Sequence, residues 1–265
     1  MYSKFRLGQK YLNYYLSASS GKGHGIHSPF VYEFIREVLL DDRNFPAYFS
    51  VENLRKQLLR DRTRLTLKDY GAGSTQAETK CLTVAEIARR AAKPKKYGQL
   101  IYRVANHYKP KMMIELGSSL GLSTAYLSLA NPASLVYTLE GSELIANYAE
   151  NNFRKLALSN IRLVTGSFDD TLSGTLKKSG NIELAFIDGN HRENPTLAYF
   201  NQLLSHRAEN AVFIFDDIHW SPGMERAWSR IKKDPGVLLT VDLFMLGLVF
   251  FNKDFKYKQD FTIRF

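Results

Sequence analysis

The chain has 265 residues, 45% of them hydrophobic, and a mean hydropathy of −0.27, which suits one large domain or one domain with an appendage. A single cysteine, Cys81, excludes an internal disulfide framework, and its expected role is that of a small neutral side chain. The net charge of +10 is uneven: residues 1–110 hold 20 Lys and Arg against 9 Asp and Glu, and residues 111–265 hold 16 against 17. The longest apolar run, Leu243 to Phe251, is broken by Gly247 and is too short to span a membrane. The opening Met1-Tyr2-Ser3-Lys4-Phe5-Arg6 lacks a secretory apolar core, so a reducing, cytoplasmic setting is expected.

In chain order, residues 1–60 read as mostly helical. Phe5, Leu12, Tyr15 and Leu16 share one helical face, and Lys4, Arg6 and Lys10 lie largely elsewhere. Ser28-Pro29 marks a second helix start, Ser28 as N-cap and Pro29 at the first helical position, followed by a stripe of Phe30, Val31, Phe34, Ile35, Val38 and Leu39. His24 and His27 lack a third ligand and are read as capping or packing residues. Leu65 to Ser74 imitates a strand, an acid and a glycine loop. Only the basic run Arg89 to Lys96 follows it, so it is read as a loop before a helix carrying Val84, Ile87 and Ala88.

From residue 97 a regular alternation sets in. A helix with Leu100, Ile101 and Val104 precedes a strand at Met112 to Leu116, a helix at 121–130, and a strand at Leu135 to Glu140. A helix at 142–158 and strands at 161–165 and Ile182 to Asp188 follow. Next come a helix around Pro195 to Leu204 and a strand at Ala211 to Asp217. Alternation of this kind implies parallel strands with right-handed crossovers. Val237 to Leu243 and Leu246 to Phe251 are too close for a crossover and should form an antiparallel hairpin. The expected fold is therefore α/β: a Rossmann-like, seven-stranded, mostly parallel sheet with a C-terminal antiparallel hairpin, plus a mainly helical N-terminal extension. The expected division is 1–96 for the basic extension and 97–265 for the sheet domain.

The run Ile114-Glu115-Leu116-Gly117-Ser118-Ser119-Leu120-Gly121-Leu122-Ser123 carries the chemistry. A strand ends in an acid, glycines four apart make a turn, and a helix begins. Glycine admits a ligand close to the backbone, and a helix N-terminus offers N–H groups and a positive dipole end. The pattern is E-x-G-x-x-x-G rather than the G-x-G-x-x-G of dinucleotide sites, which suits a nucleoside without pyrophosphate. One strand on, Glu140 stands where a carboxylate meets ribose hydroxyls. Glu115, Glu140, Asp188 and the pair Asp216-Asp217 all end strands and should gather at one sheet edge. Clustered acids there are costly unless they bind something.

These runs, with Leu139-Glu140-Gly141, Gly166-Ser167-Phe168, Phe186-Ile187-Asp188-Gly189-Asn190-His191 and Phe215-Asp216-Asp217-Ile218-His219-Trp220, resemble the successive motifs of class I S-adenosylmethionine-dependent methyltransferases. The nearest branch is the cation-dependent O-methyltransferases of the catechol and caffeoyl-CoA type, over about residues 97–252. The resemblance implies that Glu115 holds the methionine amino group above Gly117 and Gly121, with Ser119 and Ser123 along the methionine part. Glu140, followed by Gly141, would take both ribose hydroxyls, and Ser167 and Phe168 would flank the adenine. Asp188, Asp216 and Asp217 would bind Mg²⁺ or another divalent cation, although the branch carries Asn where Asp217 stands. Where the branch has a lysine, this chain has His191, a candidate general base. His219 is the second candidate, and Trp220 a candidate wall of the acceptor pocket.

The expected reaction is methyl transfer to a hydroxylated small-molecule acceptor. The basic excess of the N-terminal region suits an acidic partner such as RNA, an anionic lipid or a phosphorylated substrate, and the alternative reading of it is a solvated helical face. A methyltransferase acting on RNA and a non-catalytic nucleoside-binding scaffold are the alternative functions. A homodimer is the default assembly.

Overall fold

The computed structural model describes residues 1–69, 78–91 and 93–265. Helix α1 (Lys4–Ser17) is followed by α2 (Pro29–Phe34), whose last turn widens to i→i+5 bonding over Ile35–Leu39, and by α3 (Pro46–Leu58). Strands β1 (Arg64–Asp69) and β2 (Glu78–Thr83) precede helices α4 (Val84–Ala91) and α5 (Lys95–Tyr108). Then come β3 (Met112–Leu116), α6 (Leu122–Ala130), β4 (Leu135–Glu140), α7 (Glu143–Lys155), β5 (Ile161–Thr165) and α8 (Phe168–Ser179). The chain continues through β6 (Ile182–Ile187), α9 (Glu193–Ser205), β7 (Arg207–Asp216) and α10 (Pro222–Lys233). It ends with β8 (Leu239–Asp242), β9 (Leu246–Phe250) and β10 (Gln259–Thr262). All seven expected strands are present, and the architecture is the expected α/β Rossmann-like one.

Two compact units divide the chain, one holding residues 1–42, 110–116 and 172–265, the other residues 43–109 and 117–171. In the first unit the strand order is β10-β8-β9-β7-β6-β3. Strands β3, β6 and β7 run parallel, whereas β9 runs antiparallel to both β7 and β8, as the hairpin expectation required. The central residues of β6, β7 and β9 are apolar because both faces are covered: Leu184, Ala185, Phe186, Phe213, Leu248 and Val249 are all fully buried. The eighth strand, β10, was not foreseen; it pairs parallel to β8 at the sheet edge. It also receives the N-terminal segment, since Ser19 N donates to Thr262 O at 2.8 Å and Arg264 N to Ser19 O at 3.1 Å.

The first helix packs on the opposite side from the one its apolar residues suggest. Phe5, Leu12 and Leu16 are 76%, 56% and 68% exposed, and Tyr15 is exposed too. The buried contacts come from Tyr14 and Leu7, which meet Ala18, Phe244 and Met245. Polar anchors select that face. The Tyr14 hydroxyl donates to Ile263 O, the Tyr2 hydroxyl to Glu225 at 2.7 Å, and Lys10 Nζ lies 2.8 Å from the same carboxylate. Pro29 does open α2, but Ser28 makes no side-chain capping bond.

The second unit pairs β4 with β5 in parallel and β1 with β2 antiparallel. The strand at Arg64–Asp69 corrects the loop reading. Its hydrogen-bond partner is the antiparallel strand Glu78–Thr83. Tyr70 to Ala77, which include the Gly71–Gly73 loop, lie outside the described residues. Here the helices pack through aromatic rings: Tyr48 and Tyr102 have centroids 5.2 Å apart, and Tyr126 lies 6.1 Å from Tyr48. The Tyr126 hydroxyl donates to Glu52 at 2.8 Å, and burial together with this bond raises its pKa.

Two helices escaped the sequence reading. In α8, Leu172, Thr175, Leu176 and Ser179 form the buried stripe, but two acids, two lysines and a glycine dilute it. In α10, Met224, Ala227, Trp228 and Ile231 form the stripe, behind Ser221 as N-cap and Pro222 at the first position.

Candidate active site

In the second unit the glycine corner is fastened to the end of β4. Gly117 N and Ser118 N both donate to Leu139 O, at 2.9 and 3.2 Å, and the Ser118 hydroxyl bonds that of Thr138. Gly121 N donates to Ser118 O at 2.8 Å, which closes the turn before α6. Gly117, Ser119 and Gly121 have φ of 104°, 45° and 84°, in the left-handed region that side chains disfavour. At Gly121 a Cβ would also stand 2.4 Å from Phe153 Cε1, so both conformation and space demand glycine.

Glu140 ends β4 among these groups. Its Oε2 accepts from Ser119 N and its Oε1 from Ser142 N, each at 2.9 Å. A carboxylate has about four lone-pair sites, so the bonds from Ser119 and Ser142 do not exhaust its capacity to accept from hydroxyls. Burial pushes the Glu140 carboxyl above its ordinary value, and the N–H groups of Ser142, Ser119 and Gly141 oppose that rise without cancelling it. Gly166 N donates to Glu140 O at 2.9 Å, bringing the end of β5 alongside. Ser167, exposed, and Phe168, half-buried, follow at the start of α8, where Ser167 O accepts from Asp170 N and Thr171 N. Gly117, Ser119, Gly121, Ser123, Glu140, Gly141, Ser167 and Phe168 thus all belong to the second unit.

Sequence reasoning missed the props of this corner. Asn152 on α7 is fully buried and its Nδ2 donates to Leu120 O at 2.9 Å, while Thr138 holds Ser118 from β4. The usable signal was an Asn on the buried face of an amphipathic helix, where a polar side chain needs a partner.

The first unit holds the remaining acids. Glu115 is fully buried on β3, level with Phe186 of β6. Asp188 follows β6 and its N–H donates to Leu116 O at 2.9 Å, extending the ladder by one residue. Ile187 is level with Phe215, so Asp188 comes beside Asp216, which is fully buried at the end of β7. His191 Nε2 lies 3.5 Å from Asp188 Oδ1. Ligand atoms of Asp188, His191 and Asp216 all fall within 4.8 Å of one another, the one such group among the described residues. The loop is shaped by Asn190 in the left-handed region, whose Nδ2 donates to the Tyr199 hydroxyl at 2.9 Å. Asp217, also left-handed, turns the chain: its N–H donates to Met245 O and its carbonyl accepts from Trp220 N. In this cluster His191 takes the place expected for Asp217.

His219 is held in a different network. Its Nε2 lies 2.9 Å from Asp242, its Nδ1 lies 3.1 Å from Glu225, and its ring stacks on Phe244 at 5.2 Å. Burial opposes protonation, but the bonds to and charges of Asp242 and Glu225 outweigh it and raise the imidazole above its ordinary value. With a carboxylate at each nitrogen both ring nitrogens are engaged, and the pair of carboxylates favours the protonated form. Trp220 is half-buried, and its carbonyl accepts from Tyr2 N at 3.1 Å.

Residues 114–218 match a family model described as a methyltransferase domain. This segment is a methyltransferase domain. Solved structures at low identity share its fold. A methyltransferase of Podospora anserina with bound SAH, PaMTH1, has a TM-score of 0.59 and 13% identity, covering 96% of this chain and 98% of that one. The O-methyltransferase TomG of Streptomyces achromogenes, in complex with SAM, gives 0.57 at 14%, covering 82% and 95%. An O-methyltransferase of Bacillus cereus with SAH gives 0.54 at 18%, covering 84% and 97%. No curated protein matches the chain. The methyltransferase domain spans β3 to β7, so the resemblance read from the strand-end motifs, to class I S-adenosylmethionine-dependent methyltransferases, holds at the level of domain family and fold. No helix among the described residues is long and apolar enough to cross a membrane.

Proposed function

We propose that the chain transfers the methyl group of S-adenosylmethionine to a hydroxyl of a small-molecule acceptor, with a divalent cation held by Asp188, His191 and Asp216. The observation that carries the cofactor reading is Glu140, a strand-end carboxylate fixed beside the glycine corner by the N–H groups of Ser119 and Ser142. That cradle fits the ribose diol. Glu115, a fully buried carboxylate on β3 just before the glycine corner in sequence, is the group proposed for the methionine ammonium. The solved structures with SAM or SAH bound and the O-methyltransferases among them support the same reading.

Two carboxylates and an imidazole suit a first-row ion such as Mn²⁺ as well as Mg²⁺, because imidazole favours softer ions than carboxylate does. When bound, such an ion lowers the pKa of an acceptor hydroxyl. In the transfer the acceptor oxygen forms the new O–CH₃ bond as the S–CH₃ bond breaks. The sulfur keeps that electron pair and becomes a neutral thioether, and the acceptor proton passes to water. His191 Nε2 and Asp188 Oδ1, 3.5 Å apart, are close enough for both to face one ion. A nitrogen that ligates has no lone pair for a proton, so ligand and general base are exclusive roles for that atom.

Chelation tests the assignment. EDTA should abolish methyl transfer and Mn²⁺ or Mg²⁺ restore it. His191→Ala should weaken Mn²⁺ binding, read by electron paramagnetic resonance, while cofactor binding persists. Full activity in EDTA, with a pH profile that loses its lower limb in His191→Ala, would assign the ring as the base instead.

A further inference from the structure

The basic excess of the first 110 residues has a structured focus in the second unit. The end of α3 leads into β1, and α4 starts directly after β2. Here lies a hollow of about 640 Å³, within the range of small-molecule sites. Four guanidinium groups line it: Arg60, Arg62, Arg64 and Arg89. All four are exposed, and among the described residues none forms a side-chain hydrogen bond or ion pair. Strand pairing sets Arg64 level with Thr83, the residue that begins the turn into α4. Leu65 is buried on the other face of β1, so strand alternation keeps Arg64 on the hollow side.

Neighbouring acids and helix donors are already committed. Glu86 closes a capping box with Thr83: its Oε2 accepts from Thr83 N at 2.8 Å and from Thr83 Oγ1 at 2.9 Å, and Glu86 N donates to Thr83 Oγ1 at 3.2 Å. Asp61 Oδ1 accepts from Thr63 N at 2.8 Å. Within the first turn of α4, Val84 N donates to Thr63 O and Ala85 N to Asp61 O, both at 2.9 Å. The helix end therefore has few N–H groups for an anion, and the arginines are the donors that remain.

A guanidinium is permanently charged and presents a planar fork that matches phosphate oxygens in pairs. Four of them exceed what a single carboxylate would balance. No aromatic ring lines the hollow, so the base stacking on which single-stranded nucleic-acid sites rely is missing. We propose that this hollow binds a small molecule carrying two or more phosphate groups, gripped by Arg60, Arg62, Arg64 and Arg89. The site is independent of the methyl-transfer reading.

Isothermal titration of the full chain with sodium tripolyphosphate, at near-physiological salt, tests it. One binding event is expected. Arg62→Gln/Arg64→Gln should weaken it at least about tenfold, the loss of charged hydrogen bonds. Lys177→Gln, on exposed α8 surface, should leave it unchanged, and the unfolding midpoint should stay the same in both variants. Absence of binding, or equal affinity in the double arginine variant, would overturn the proposal. So would an RNA oligonucleotide that binds more tightly than tripolyphosphate and loses affinity in the same variant, since that result assigns the hollow to a nucleic-acid backbone.

Discussion

Replacing Gly121 by alanine puts a single methyl group where the structure has neither the torsion nor the room for one. The residue sits at φ 84°, which costs an L side chain about 1–2 kcal/mol. Its Cβ would meet Phe153 Cε1 at 2.4 Å and Cζ at 2.9 Å. Phe153 is a buried ring on α7, 4% exposed, so relief requires shifting a packed helix, and overpacking of this kind costs about 1–3 kcal/mol. Together Gly121→Ala should destabilise the protein by about 2–5 kcal/mol. Urea denaturation followed by far-UV circular dichroism reads it as a lower midpoint. The steric share can be separated: on a Phe153→Ala background the same change should cost only the torsional about 1–2 kcal/mol. An equal cost in both backgrounds, or a loss below about 1 kcal/mol in the native background, would refute the reasoning.

Three further outcomes follow from the titrating groups and their partners. His219 is raised above its ordinary value in the folded chain, so its stabilising share is fully present below that ordinary value and is lost as pH rises through the raised one. The urea midpoint should therefore fall as pH rises above the ordinary imidazole value, and His219→Gln should flatten that fall; an unchanged slope would disprove the network around the ring. Glu140 is raised by burial, so cofactor affinity should decline with acidification around a midpoint above the ordinary 4.5, checked by calorimetry at stepped pH. Affinity constant down to that value would contradict it. Asn152→Ala removes the Nδ2 bond to Leu120 O and should cost about 1–3 kcal/mol with weakened cofactor binding, measured by denaturation and calorimetry.

The strands and the strand-end acids were legible because burial on both faces writes itself as short apolar runs, each ended by the residue that leaves the sheet. The same logic made the glycine corner readable, since φ above zero and close packing require glycine at Gly117 and Gly121. What escaped had no local signature. Glu225 is the hub for Tyr2, Lys10 and His219, yet its first two partners lie more than 200 residues away. The same hub turned α1 over: polar anchoring at Tyr2, Lys10 and Tyr14 outweighed the face richer in apolar residues. His191 joins Asp188 and Asp216 because β6 and β7 are adjacent in register, which spacing alone does not reveal. Arg62 and Arg64 carry no local signal within the basic N-terminal region; it is the β1–β2 pairing that sets Arg64 beside Thr83.

The central claim is that Glu140 holds the ribose of S-adenosylmethionine, and titration calorimetry of the cofactor into Glu140→Ala tests it most directly. Loss of two charge-assisted hydrogen bonds, about 1.5–3 kcal/mol each, predicts affinity lower by at least about a hundredfold, with the fold intact by circular dichroism. Cofactor binding as tight in Glu140→Ala as in the native chain would contradict the account.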